Sequence, residues 1–260
     1  MAGVLLHLAM GDPQKTDPDN TAYNTSFKKA YTLGLLLPDI AKRGFIRNAE
    51  DFGRLFEGCT AVDILTYEEF LAFRKNHHFN PNRQNPLQQD TRNPNLQEFM
   101  DAWYVDLQKP VWQGALCHLM GDKAFYHESY CIDFERVWQD YTREVGAIEV
   151  WDENKWSGSK TGKVYYDDYN RLNRCIEDEY GVLGRARQIL SAPLLDKILN
   201  GFSVRFPESS AEPVYMNLEN IRKCVGYFRR QKFDVITSCN SAGGWRPDEV
   251  WAENSCEGQQ

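Results

Sequence analysis

The sequence predicts an all-α fold, and three observations carry that reading. Apolar residues recur at the 3.6-residue helical spacing in several long stretches. Capping residues, prolines and glycines divide those stretches at intervals suited to helices. Alternation of the strand kind is scarce, confined to one short aromatic stretch. The chain has 260 residues, enough for one large core, and one helical domain over about 1–240 is expected.

The elements follow in order. Residues 4–10 read as a short buried segment, and residues 11–20 as a loop rich in turn formers. Asn20 or Thr21 can cap a helix running to about Leu37, where Pro38 interrupts it. On that helix Tyr23, Phe27, Ala30, Tyr31 and Gly34 form one stripe. Asn48 to Gly58 suits a short helix. Thr66-Tyr-Glu-Glu69 is a capping box opening a helix through about Lys75. Residues 80–95, rich in Pro and Asn, read as an extended connection. A helix covers about 95–107. Pro110 suits the first turn of the next, through about 126, and helical character continues over 129–145. Residues 147–166 differ: Val150-Trp-Asp-Glu and Lys163-Val-Tyr-Tyr flank Ser157-Gly-Ser-Lys-Thr-Gly162, which reads as a hairpin or irregular insertion. Helices follow from Asp168 to about Leu199 and from Asn217 to about Phe233. Residues 241–260 read as a loosely ordered tail.

Composition excludes some functions. The formal net charge is −7, which argues against a broad nucleic-acid surface but not against an anion held through metal ions. The apolar opening Met1–Met10 lacks a positive n-region and is too short to span a bilayer. No later apolar run reaches spanning length, so no transmembrane segment is expected. Seven cysteines occur, an odd number with no Cys-x-x-Cys pair. Reduced thiols in a cytoplasmic protein are therefore expected, mostly as small buried hydrophobes.

The chemistry gathers in the first half. All five histidines, at 7, 77, 78, 118 and 127, lie there. His118 and Asp122 are four apart, so a helix puts them on one face, with Val111, Ala115 and Phe125 extending the stripe. Two polar groups in an apolar stripe must be satisfied. A shared metal does this, and so does a direct His–Asp hydrogen bond. Asp39, just past Pro38, reads as an N-cap or as a metal ligand able to deprotonate water. Of His77 and His78, at most one joins a given site, and a solvated pair at a helix end is the alternative. His7 lies in an apolar run, where a satisfied core histidine is the ordinary reading. His127 lies about 140° around an ideal helix from Asp122.

Together these fragments resemble the zinc-dependent phospholipase C family, whose fold is shared with the P1-type nucleases. The residues carrying the resemblance are His7, Leu33-Gly-Leu-Leu-Leu-Pro-Asp39, His78-Phe79, and Gly114-Ala-Leu-Cys-His-Leu-Met-Gly-Asp122 followed by His127. Their order and approximate separations match, over about the first 130 residues. The resemblance implies an all-helical fold around as many as three zinc ions. Asp39, His78, His118 and Asp122 would hold one ion. His7 would help hold a second, bridged by Asp122, and His127 would belong to a third. It implies phosphoester hydrolysis by metal-bound water, with Asp39 as the general base. No histidine follows His127, so the ligands suffice for one or two ions; Asp133, Glu135 or Glu144 are the acidic candidates to complete a third.

The expected function is thus a zinc-dependent hydrolase of a small phosphoester or a lipid head group. The competing expectation is a non-catalytic helical protein. In it the same residues would hold a structural metal or a core hydrogen-bond network, with 147–166 as a candidate interaction surface. A third is a metal hydrolase acting on another bond.

Overall fold

Short polar side chains followed by apolar, helix-spaced runs open most of the helices in the computed structural model of this protein. It describes residues 3–12, 25–42, 44–75, 108–125, 131–146, 152–207 and 211–241. In chain order the helices are α1 (Val4–Met10), α2 (Thr25–Lys42), α3 (Ala49–Leu55), α4 (Tyr67–Lys75), α5 (Pro110–Lys123), α6 (Phe134–Val145), α7 (Glu153–Gly158), α8 (Lys160–Tyr180), α9 (Val182–Ile189), α10 (Ala192–Gly201) and α11 (Leu218–Ser241). Among the described residues the only β pairing is one isolated antiparallel bridge, Ile132 with Met216. The all-α expectation is met. No helix among these residues is long and apolar enough to cross a membrane.

Local chemistry accounts for the starts. Asn48 Oδ1 accepts from Asp51 N at 2.8 Å and caps α3. The Thr66 capping box forms in both directions: Glu69 N donates to Thr66 Oγ1 at 3.1 Å, and Thr66 N donates to Glu69 Oε2 at 2.6 Å. Pro110 opens α5 at its first turn. Asp133 caps α6, and Asn217 Oδ1 accepts from Asn220 N at the start of α11. Between α8 and α9 Gly181 is left-handed (φ 54°), a conformation glycine adopts without Cβ strain.

Two expectations are corrected. Pro38 does not end α2; the helix runs through it to Lys42. An interior proline forfeits one backbone hydrogen bond and costs about 3 kcal/mol. Leu35, Leu36, Leu37 and Ile40 around it are at most 1% exposed. Burying each contributes about 1.5–3 kcal/mol, so continuing the buried helix outweighs the proline. Asp39 accordingly sits inside a helix, not beyond one, and is not an N-cap. The second correction concerns 147–166. Its described part is no hairpin but the junction of two helices. Asp152 caps α7 by accepting from Asn154 N and Lys155 N, and Ser159 Oγ caps α8 by accepting from Gly162 N at 2.8 Å. The helical pattern expected from Asp168 to about Leu199 is met by α8, α9 and α10, divided at Gly181 and at Leu190–Ser191. The calls on 13–24, 76–107, 126–130 and 242–260 lie outside the described residues.

The core is one contiguous apolar cluster reaching from α1 to α11. Its axis is the packing of α2 on α5, the most extensive helix–helix contact. Two glycines make that contact close. A Cβ on Gly34 would stand 2.1 Å from the Val111 carbonyl oxygen, and one on Gly114 would stand 2.2 Å from the Tyr31 carbonyl oxygen. The two backbones therefore touch where only glycine fits. Helix α1, buried along its whole length, packs against α2, α5, α8, α9 and α11.

Candidate metal centre

Close packing of α5 on α2 brings His118 within reach of a backbone carbonyl. His118 Nδ1 lies 2.7 Å from the Leu35 oxygen. A carbonyl only accepts, so Nδ1 carries the proton and donates. Nε2 is left to face the cluster as the atom available to a metal or an acid. Asp122 follows one turn on: its Oδ2 is 3.5 Å from His118 Nε2. The second histidine arrives from α1, with His7 Nε2 3.4 Å from Asp122 Oδ1. The His7 and His118 rings stack, with centroids 3.6 Å apart and planes 14° from parallel. All three residues are at most 1% exposed. Donor atoms of the three lie within 4.8 Å of one another, a group able to hold a metal ion.

Asp39, one turn beyond Leu35 on α2, is also buried at 1% exposure. Its charge is felt by both imidazoles. Among the described residues its Oδ1 has no hydrogen-bond partner, and neither does His7 Nδ1. Buried polar atoms without partners cost about 1–3 kcal/mol each, so a site that leaves them so calls for an explanation.

The electrostatics are lopsided. Burial pushes the His7 imidazole pKa down and neighbouring His118 adds to this; Asp122 and Asp39 oppose without reversing it. Burial also pushes His118 down, but the charges of Asp122 and Asp39 and the Leu35 carbonyl outweigh it and leave its pKa raised. Burial pushes Asp122 up, yet the two imidazoles hold it well below the usual carboxylate range. The cluster therefore favours an ionised Asp122 and a neutral His7, the forms that bind a cation, while the same carboxylates favour a proton on His118.

Two measurements bear on what fills the space between these groups. A direct N–H···O bond prefers about 2.9 Å, whereas donor atoms around one tetrahedral zinc lie about 3.3 Å apart. The separations of 3.4 and 3.5 Å are longer than a direct bond prefers and nearer the second spacing, although each runs to a different oxygen of Asp122. The near-parallel stack points the other way, because a shared ion needs the in-plane lone pairs to converge. Two imidazoles and a carboxylate are a usual zinc donor set, so the residues fit one ion provided the rings splay.

Of the metal residues expected from the sequence, His7, His118 and Asp122 come together, with Asp39 buried beside them. His78 and His127 lie outside the described residues. Of the acidic candidates for a third ion, Asp133 caps α6, and Glu144 accepts from Lys160 N and Thr161 N at the start of α8. Both are thus engaged in capping helices, and Glu135 accepts from Gln139. Sequence reasoning missed the Leu35 carbonyl, since a backbone acceptor leaves no residue signature. The only hint was a glycine inside each of two apolar helical runs, a usual mark of close packing. Comparison of the chain with protein-family models, with curated proteins and with solved structures finds no match.

Proposed function

We propose that this protein is a zinc-dependent phosphoesterase whose ion is held by His7, His118 and Asp122. The observation that carries the reading is the buried convergence of three metal-competent side chains from two helices. Its support is the donor spacing, the resemblance of the His7, Asp39 and His118–Asp122 fragments to zinc-dependent phospholipases C, and the buried Asp39 carboxylate oxygen without a partner. A zinc ion there supplies Lewis acidity toward water and phosphoryl oxygens. The chain's own part is positional and protolytic. Leu35 fixes the His118 tautomer, Asp122 stays ionised, and Asp39 Oδ1 is the acceptor for a proton leaving water. Small phosphoesters and lipid head groups are the substrate class, and ion charge allows an acidic protein to take an anion.

The ring stack favours a second reading, a metal-free core network in which Asp122 is shared between two imidazoles. The two separate in one experiment. Purified protein is analysed for bound metal and assayed for release of nitrophenol from a nitrophenyl phosphodiester. The enzyme reading expects at least one zinc per chain, lost in His118→Ala. It also expects turnover to fall by about a hundredfold or more in Asp39→Asn while zinc stays bound. Less than one ion per chain, unchanged by His118→Ala, leaves the metal-free network. Metal without turnover leaves a structural ion.

A further inference from the structure

Helix α1 is the element of the centre held least by its own length, because it is short and supplies one ligand alone. Seven residues are too few to be stable as an isolated helix, so tertiary contacts hold it in place. His118, Asp122 and Asp39 belong to the long helices α2 and α5, locked through Gly34 and Gly114. His7 is the only cluster residue on α1. Because α1 carries a single ligand while the other three groups sit on helices locked together, a displacement of α1 exposes the sealed cluster without parting α2 from α5.

The C-terminal end of α1 is fastened by an ion cluster from the far half of the chain. Asp12, only 3% exposed, accepts from Arg229 Nη2 of α11 at 2.8 Å and lies 3.3 Å from Arg185 Nε of α9. Arg229 Nη1 also donates to the Ala9 carbonyl at 3.4 Å, and its guanidinium sits over the Tyr180 ring at 5.3 Å. Arg185 is braced in turn on the Tyr180 carbonyl. The link from clasp to ligand is short. Next to Asp12, Gly11 N donates to the His7 carbonyl at 2.8 Å. Gly11 also presses on Leu35, where a Cβ would stand 2.3 Å from Cδ2. Leu35 is the residue whose carbonyl orients His118.

We propose that Asp12, Arg185 and Arg229 form a clasp that holds α1 shut over His7, His118 and Asp122 and so sets how fast a divalent ion enters and leaves. The proposal rests on the metal reading above. Arg185 and Arg229 are positioning residues, acting through α1 without touching the ion. The clasp consists of charge-assisted hydrogen bonds on a buried carboxylate, and losing one such bond changes an equilibrium by about tenfold or more.

The test uses the full chain loaded with zinc and challenged with excess chelator, with zinc release followed over time. Amide hydrogen exchange is read in parallel. Asp12→Asn is expected to release zinc at least about tenfold faster than the unmodified chain. The Leu8–Met10 amides should lose protection while those of Leu35–Leu37 keep theirs. Arg229→Lys, which keeps the charge but loses the forked donor, is expected to show a smaller rise with the same α1-confined pattern; it serves if Asp12→Asn does not fold. Release at the unmodified rate in either variant overturns the clasp, and so does protection lost uniformly along the chain. Unmodified protein that holds no zinc overturns the metal reading and the clasp's role with it. Zinc held but released at the same rate in all forms overturns the clasp alone.

Discussion

At the scale of single residues, the need to satisfy polar atoms fixes how several side chains sit. His118 illustrates it, because a carbonyl one helix away chooses its tautomer and hence which nitrogen faces Asp122. Glu144 illustrates it at the surface. Its carboxylate accepts from Lys160 N at 2.7 Å, and from Thr161 N and Oγ1, at the start of α8. Those backbone hydrogen bonds hold its pKa below the ordinary 4.5. A carboxylate with a lowered folded pKa contributes stability that is present above its unfolded pKa and lost as pH falls through the folded one. The unmodified chain should therefore be more stable than Glu144→Gln near neutrality, and the difference should shrink below about pH 4.5. Denaturant midpoints of both proteins across that range check this; a constant gap would show that the charge plays no part. At this scale the sequence was informative where function needs a side chain. The four-residue spacing of His118 and Asp122 put them on one face, and they share one face. Partners such as the Leu35 carbonyl belong to the backbone of a distant segment, and no local pattern reports them.

At the scale of elements, capping chemistry was legible and tertiary override was not. The Thr66 box, Asn48 and Pro110 open helices as their residue types require, because a cap is a contact over three or four residues. Pro38 misled because its cost is local while the gain from burying Leu36, Leu37 and Ile40 is tertiary. The stretch 152–166 misled because Val164, Tyr165 and Tyr166 are strand-favouring types. Tyr165 in fact packs edge-on to Trp156 and Tyr169 from a helix. Glycine substitutions at the α2–α5 crossing test the packing. In Gly114→Ala the new Cβ meets the Tyr31 oxygen at 2.2 Å and the Leu35 nitrogen at 2.7 Å, both backbone atoms that cannot rotate away. Overpacking costs about 1–3 kcal/mol or more, and alanine returns about 1 kcal/mol of helix propensity. A net loss of up to about 2 kcal/mol is expected, and under the proposed zinc reading a weaker hold on the ion as His118 shifts off Leu35. Gly121→Ala, in the same helix beside the cluster, meets side-chain atoms at ordinary contact distance: Met10 Sδ at 3.4 Å, His7 Nδ1 at 3.5 Å and Met10 Cε at 3.6 Å. It should be neutral or stabilising by a few tenths to about 1 kcal/mol. Thermal or denaturant unfolding of the pair decides the matter; equal effects would mean that the crossing is not backbone-limited.

At the scale of the whole molecule, a strap ties together three helices of the second half, α6, α8 and α11. Residues 214–217 run beside the segment entering α6: Asp133 N donates to the Tyr215 oxygen at 2.9 Å, and Asn217 N to the Cys131 oxygen at 2.8 Å. From the other side Asp168 of α8, fully buried, accepts from Val214 N at 2.9 Å and Tyr215 N at 2.7 Å, with Arg171 Nη1 at 3.1 Å. One carboxylate thus satisfies two backbone donors and joins α8 to the lead into α11, the helix that carries Arg229. Removing it leaves those donors and a half-buried guanidinium without their acceptor, at about 1–3 kcal/mol for each lost charged bond. Asp168→Ala should therefore lose about 3 kcal/mol or more, and Asp168→Asn, which keeps one acceptor oxygen, about half of that. Since the apolar core is continuous from α1 to α11, the loss should appear as a lower midpoint of a single transition with unchanged denaturant slope. A second transition, or a loss below about 0.5 kcal/mol, would mean that the strap is peripheral. If the clasp at Asp12 depends on where α11 begins, Asp168→Ala should also speed zinc release, though less than Asp12→Asn. Asp168 acts on Arg229 through three turns of helix, whereas Asp12 touches it.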